Sequence, residues 1–194
     1  ARAAAAMMGA TLAVILLCGA ARAGALPCLP PPHDRPEGEV QTHLAGLLAD
    51  LRPLLDHAPA MALALHELGP ALCLDDGLQG AEGYFEPDAM RIVLHGGLDR
   101  GLQLGILLHE LRHLEQFHRG ICPSDRLAIG DHARMVFAIE ADASAISLLL
   151  AWQRLLAGDP AIWEALMNWP SQSDIAISLA QEFFSAKGFH TPAR

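Results

Sequence analysis

Residues 107–120 read LLHELRHLEQFHRG, and the order of their apolar and polar side chains predicts a helix with two distinct faces. Apolar residues recur at the spacing of one helix face, at Leu107, Leu108, Leu111 and Leu114. His109 and His113 are one turn apart, so their rings project from nearly the same side. Such a helix carries a core-facing stripe of leucines and a site-facing stripe of imidazoles.

The pattern His109-Glu110-Leu111-Arg112-His113 has the spacing that metal-assisted hydrolysis requires. Two neutral imidazoles one helical turn apart can bind a single Zn²⁺ ion. Glu110 is rotated from the histidines by about a quarter turn. Its carboxylate therefore lies beside the ion without binding it, where it can take a proton from a bound water. The sequence predicts His109 and His113 as metal ligands and Glu110 as the catalytic base.

A catalytic zinc site needs a third protein ligand and one position open to water. The metzincin pattern would place that ligand at residue 119 after a glycine at residue 116, but these residues are Arg119 and Gln116. Glu140 lies in the apolar run of residues 137–143, where a carboxylate is costly unless it is paired or binds a metal. A short loop joins the two predicted helices, so they can pack antiparallel. Glu140 is thus expected as the third ligand, with a structural ion pair as the alternative.

Asp142 lies two residues after Glu140 and faces another side of that helix. A cap or a salt bridge with an arginine is its expected role, and support of the metal ligands is the alternative. Gly101 and Gly105 precede His109 at four-residue steps. One interpretation is that they leave room for a substrate or for the hairpin, and the other is that they allow close packing of one backbone against another.

The flanking sequence predicts an α+β fold that is mostly helical. Helices are predicted at residues 40–57, 99–119, 124–157, 160–169 and 173–187. Two β-prone runs, 83–86 and 90–95, flank a Pro-Asp turn and predict a hairpin beside the site helix. Residues 61–74 fit a short helical turn followed by a strand. The strand of residues 90–95 is expected to hold an extended peptide at the edge of a small sheet.

The N-terminal segment is expected to direct export. Residues 1–23 combine Arg2, an apolar run and Ala21-Arg22-Ala23, which is typical of a signal peptide cleaved after Ala23. An uncleaved membrane anchor is the alternative. Residues 24–39 form a proline-rich lead-in, and residues 40–194 are expected to form one domain. The chain is therefore placed in the periplasm or outside the cell, in a bacterial envelope.

Composition and cysteines narrow the range of partners. The net charge is −9 with a single lysine, which argues against nucleic acid and against membrane surfaces as partners, apart from the possible N-terminal anchor.

Cys28, Cys73 and Cys122 follow the signal peptide, so one disulfide is expected in an oxidising compartment, with all three pairings open. Another hypothesis is that Cys28 acts as a fourth ligand that keeps the metal site latent.

Residues 81–150 carry a series of motifs that resembles small gluzincin-type metallopeptidases of bacteria. The motifs are Gly83-Tyr84-Phe85-Glu86-Pro87, the strand Met90-Arg91-Ile92-Val93-Leu94, His109-Glu110-Leu111-Arg112-His113 followed by Gln116, and Glu140-Ala141-Asp142-Ala143. The resemblance implies a zincin-like fold, with His109, His113 and Glu140 as ligands and Glu110 as general base. Many gluzincins carry Asp four residues after the ligand Glu, and this chain has Ser144 there.

The expected function is an exported zinc-dependent metallopeptidase that hydrolyses peptide bonds through a metal-activated water, with a peptide or protein substrate. Tyr84 and His190 are minor candidates for a group that stabilises the oxyanion. One alternative is a catalytically inactive zincin-fold module that binds peptides in the cell envelope. Another is a helical protein in which the histidine motif is accidental.

Overall fold

The computed structural model describes residues 26–124 and 126–186 of the chain. The predicted signal peptide, residues 1–23, and the candidate His190 lie outside the described residues. Within the described part the fold is α+β and mostly helical, as the sequence predicted.

Six helices and four strands form in the described residues. The helices are α1 (Gly38–Leu55), α2 (Pro59–Leu68), α3 (Arg100–His118), α4 (Ile129–Leu156), α5 (Ala161–Asn168) and α6 (Ser173–Ala186). The strands are β1 (Cys28–Leu29), β2 (Ala71–Asp75), β3 (Gly83–Glu86) and β4 (Arg91–His95). The predicted hairpin is present as the antiparallel pair of β3 and β4.

The strands form one sheet in the order β1-β2-β4-β3. β2 pairs with β4 in parallel, which makes β4 an inner strand. The expectation that residues 90–95 form a peptide-holding edge is therefore wrong, because both sides of β4 are already hydrogen-bonded. The edge on this side of the sheet is β3, which also packs against α3.

The opposite edge of the sheet is closed by β1, a strand that the sequence did not predict. β1 lies in the proline-rich lead-in and pairs antiparallel with β2. A disulfide joins Cys28 to Cys73 across this pair, so neither residue bonds to Cys122. The hypothesis that Cys28 is a latent metal ligand is wrong, because its sulfur is part of the disulfide.

Helix α3 lies at the centre of the molecule, in contact with the sheet and with α1, α2, α4 and α5. The side chain of Asp99 caps its N-terminus, where Oδ1 accepts a hydrogen bond from the Leu102 amide. The helix ends before Gly120, which adopts a φ of 73° that favours glycine. The predicted apolar face is confirmed, since its four leucines are fully buried, at Leu107, Leu108, Leu111 and Leu114.

Gly101 and Gly105 let α5 approach α3 closely. A Cβ atom at Gly105 would lie 2.7 Å from Leu166 Cδ2, and one at Gly101 would lie 2.7 Å from the Ala161 carbonyl oxygen. Of the two interpretations offered by the sequence, the structure supports close helix packing, because α5 fills the space that a substrate would have taken.

Helix α4 begins at Ile129, later than the predicted start at residues 124–125. The Ser124 hydroxyl accepts a hydrogen bond from the Arg126 amide, and the Ser124 carbonyl accepts one from the Leu127 amide. This turn occupies the groups that would begin a helix. By length and composition α4 could cross a membrane. Packing against α3 and α5 accounts for the apolar face of its second half.

Candidate metal centre

Three side chains that could bind a metal converge between α3 and α4. Their ligand atoms all lie within 4.8 Å of one another, and they belong to His109, His113 and Glu140. The two histidines project from consecutive turns of α3, and Glu140 projects from α4, which packs against α3. The structure thus places together the three residues that the sequence predicted as ligands.

The distances between these atoms suit a tetrahedral ion. His109 Nε2 lies 3.3 Å from Glu140 Oε2 and 3.0 Å from His113 Nε2. His113 Nε2 lies 3.5 Å from Glu140 Oε1. A tetrahedral zinc ion with bonds of about 2.0–2.1 Å separates its ligand atoms by about 3.3 Å. Two imidazoles and one carboxylate are also one of the ligand sets that occur at catalytic zinc sites.

The carboxylate and one imidazole carry opposite charges in the metal-free protein. Burial disfavours the charged form of His113, but hydrogen bonding to Glu140 and the negative charges of Glu110 and Glu140 outweigh it and raise the pKa of His113 to about 9. Burial likewise opposes ionisation of Glu140, but its hydrogen bonds to His109 and His113 lower its pKa to about 2. A metal ion would replace a proton on His113 at neutral pH.

The Glu110 carboxylate lies beside this cluster and is 6% exposed. Burial raises its pKa, and the negative charge of Glu140 adds to that rise. The charges of His113 and His109 and a backbone hydrogen bond from Phe85 act in the opposite direction. A carboxylate with a raised pKa is suited to accept and return a proton near neutral pH. The position of Glu110 therefore fits a general base.

The edge strand β3 faces the site with part of its backbone. The Glu82 carbonyl accepts a hydrogen bond from the His95 amide, and antiparallel pairing alternates from residue to residue. The backbone groups of Gly83 and Phe85 therefore point away from β4. Tyr84 lies on the opposite face of the strand from Phe85, near the Arg91 guanidinium. Its candidacy as an oxyanion donor gains no support from this placement.

A network of polar side chains holds His113 from the side opposite the cluster. His113 Nδ1 donates to Gln116 Oε1 over 2.9 Å, and Gln116 Nε2 donates to Asp142 Oδ2 and to the Ile139 carbonyl. Arg112 donates two hydrogen bonds to the same Asp142 carboxylate. The predicted salt bridge of Asp142 with an arginine is confirmed, and through Gln116 the carboxylate also supports His113, a candidate ligand.

His109 has a glutamine neighbour that the sequence did not indicate. Gln172, just before α6, places Nε2 3.5 Å from His109 Nδ1 and 3.2 Å from Ser144 Oγ. It is separated from His109 by 63 positions in the chain. Gln116 could have been found from the sequence, because it lies three residues after His113 on the same helix.

Comparison with known proteins gives one match. The model of a family described as "Putative metallopeptidase family (DUF6782)" matches residues 19–189, which include all of the described site. No curated protein and no solved structure matches the chain.

Proposed function

The chain belongs to the family described as "Putative metallopeptidase family (DUF6782)", and from this membership we propose that it is a zinc-dependent peptidase of the gluzincin type. One observation carries the proposal. Two imidazoles and a carboxylate converge within 4.8 Å, and a second, buried carboxylate lies directly beside them. A site that only stabilised the fold would not need the second carboxylate, whose burial is costly.

The proposed chemistry divides the work between the ion and the protein. Zinc held by His109, His113 and Glu140 would supply an activated water and polarise the peptide carbonyl. Glu110 takes a proton from the attacking water and passes it to the nitrogen of the leaving amine, so that the C–N bond breaks without releasing an amide anion. The outward-facing backbone of β3 beside Glu110 offers hydrogen bonds to an extended peptide substrate.

Export to the periplasm or beyond is part of the proposal. The signal-like residues 1–23 motivate it, and the Cys28–Cys73 disulfide supports it because such bonds persist in oxidising compartments. A peptide or protein of the cell envelope would then be the substrate class.

A comparison of two glutamate variants tests the proposed activity. The purified zinc-loaded protein is incubated with a mixed peptide library, and cleavage is followed by mass spectrometry. Glu110→Gln is expected to lose at least about 100-fold in rate with unchanged zinc content. The matched control Glu67→Gln, which alters an exposed glutamate paired with His118, is expected to keep wild-type activity.

Two results would overturn the proposed activity. Cleavage that survives Glu110→Gln would exclude the mechanism. A zinc-loaded wild-type protein that binds peptides from the library and cuts none would favour the inactive peptide-binding module.

A further inference from the structure

Gln172 is a buried polar side chain that reaches the metal cluster from a third part of the chain. It is 2% exposed, and its Oε1 is buried without a hydrogen-bond partner among the described residues. Its backbone is fixed on both sides, since its amide donates to the Trp169 carbonyl and its carbonyl accepts from the Ala176 amide. A buried amide with an unsatisfied oxygen costs free energy, so its presence at His109 calls for a reason.

The reason lies in the ring nitrogen that Gln172 faces. If zinc binds Nε2 of His109, that nitrogen carries no proton and the remaining ring proton is on Nδ1. The group opposite Nδ1 must then accept a hydrogen bond. We propose that Gln172 is the positioning residue of His109, and that in the zinc-loaded protein its amide turns Oε1 toward Nδ1–H. This inference rests on the proposed metal site.

The turn of the amide is compatible with its surroundings. A half-rotation about the last side-chain bond exchanges Oε1 and Nε2 in place. Oε1 would then lie 3.5 Å from His109 Nδ1 and 3.2 Å from Ser144 Oγ, whose hydroxyl can donate to it. The two contacts that Nε2 makes pass to Oε1, and Nε2 takes the buried position that Oε1 holds without a partner among the described residues.

An amide can hydrogen-bond to His109 Nδ1 with or without bound metal, because it has both a donor and an acceptor. An ionised carboxylate can only accept. Without metal, His109 Nε2–H can donate to Glu140 while Nδ1 accepts from the Gln172 amide nitrogen. With metal, the same side chain accepts from Nδ1–H. His113 shows the same arrangement, with the Gln116 amide at its Nδ1. Each ligand histidine thus has a glutamine amide at the nitrogen that faces away from the cluster.

Gly101 and Gly105 form a glycine face on α3, and the packing of α5 against this face positions Gln172. Gly101 and Gly105 allow α5 to pack against α3, and Leu166 of α5 is in contact with the Gly105 position. Gln172 follows α5 by one turn, and His109 follows Gly105 by one helical turn. The close approach of α5 therefore brings Gln172 to His109, and this accounts for glycines that α3 would otherwise carry at a cost of about 1 kcal/mol each.

The test compares three glutamine variants of the full chain. Zinc affinity is measured by competition with a chromophoric chelator, and nitrogen-15 NMR of the zinc-loaded protein reports which ring nitrogen of His109 carries the proton. Gln172→Leu is expected to lower zinc affinity by about 10- to 100-fold and to shift the Nδ1–H resonance of His109. Gln172→Glu, which keeps an acceptor, is expected to restore affinity to within about threefold.

Gln103→Leu is the matched control. Gln103 is also 2% exposed, but it bonds to His43 and to backbone carbonyls away from the cluster. Its loss is expected to lower stability and leave zinc affinity within about twofold of wild type. If the wild type binds zinc and Gln172→Leu behaves like Gln103→Leu, this inference alone is overturned. If the wild type binds no zinc, both this inference and the proposed function are overturned.

Discussion

Gln116 Nε2 donates a hydrogen bond to Asp142 Oδ2 over 2.7 Å, and the same amide accepts from His113 through its oxygen. One side chain of α3 therefore couples His113, a candidate metal ligand, to a carboxylate of α4. Glu140 and Asp142 are two positions apart on α4, and both contact α3: Glu140 faces the histidines, and Asp142 holds Gln116. The contacts that pack α3 on α4 therefore also determine the geometry of the site.

Loss of the Gln116 amide is expected to weaken metal binding without unfolding the protein. In Gln116→Leu, the His113 ring loses the acceptor that holds Nδ1–H, and zinc affinity should fall by about 10- to 100-fold. Chelator competition measures it. Gln153→Leu is the control, since Gln153 is exposed on α4. Equal affinities of the two variants would contradict the role given to Gln116.

Replacement of Arg112 is expected to be strongly destabilising. Arg112 Nη1 lies 2.5 Å from Glu115 Oε2, and Glu115 is 1% exposed. In Arg112→Met the arginine left beside this buried carboxylate, among the described residues, is the more distant Arg119 at 3.4 Å, so the free energy of unfolding should fall by about 3 kcal/mol. Urea unfolding measures the change.

The double variant Arg112→Met/Glu115→Met tests the cause of that loss. Removal of both charges should recover the part of the loss that comes from the unpaired Glu115 carboxylate, because a buried ion pair replaced by apolar groups is often neutral. The part that comes from Asp142, which also loses its bonds to Arg112, should remain. A double variant that is less stable than Arg112→Met would contradict the ion-pair explanation.

Zinc binding is expected to release about one proton per site at pH 7. The pKa of His113, raised to about 9 in the metal-free protein, means that this ring is protonated at neutral pH and must lose its proton to bind. Glu140, with a pKa lowered to about 2, releases none. Calorimetry in buffers of different ionisation enthalpy counts the protons, and affinity should rise about tenfold per pH unit between pH 6.5 and 8. An affinity independent of pH in this range would be the contrary result.

The stability of the metal-free protein should follow the same two groups. The raised pKa of His113 stabilises the fold fully below its unfolded value of 6.5, and this contribution is lost as pH rises through about 9. The lowered pKa of Glu140 stabilises above 4.5, and that contribution is lost as pH falls toward about 2. Between pH 4.5 and 6.5 both contributions to the free energy of unfolding are fully present. Urea unfolding with a chelator present measures this free energy as a function of pH. Rising stability from pH 7 to pH 9 would contradict the assignment to His113.

Reduction of the Cys28–Cys73 disulfide should lower stability while leaving the site intact. The bond closes a loop with a sequence separation of 45, so its loss is expected to cost about 4 kcal/mol. Melting with and without reductant measures the loss, and a Cys28→Ser/Cys73→Ser protein should not respond to reductant. Zinc affinity that falls with reduction in a still folded protein would contradict the separation of β1 from the site.

The site helix α3 and the three candidate metal ligands, two on α3 and one on α4, could be predicted from local sequence. The leucine and histidine spacing of α3 depends only on helical periodicity. The apolar run around Glu140 predicts a partner for its carboxylate. In the structure the side chain is 28% exposed and Phe137 in the same run is 66% exposed, and the two imidazoles of α3 are the partners of Glu140. The cap at Asp99 and the end at Gly120 follow from backbone chemistry.

The remaining features depend on contacts between distant segments. Residues 90–95 show β propensity but not the parallel pairing with β2 that makes β4 an inner strand. β1 is only two residues long, and its pairing with β2 coincides with the Cys28–Cys73 bond. Gln172 reaches His109 only because α5 packs on the glycine face of α3, and no short-range pattern encodes that approach.

The most direct test of the central claim is the zinc content and coordination of the purified chain. After dialysis against dilute zinc, elemental analysis and X-ray absorption are applied to the wild type and to His109→Ala. We predict about one zinc per wild-type chain, with two imidazole ligands and oxygen at about 2.0–2.1 Å, and a zinc content near zero in His109→Ala. Equal zinc content in the two proteins would contradict the assignment of His109, His113 and Glu140 as the metal site.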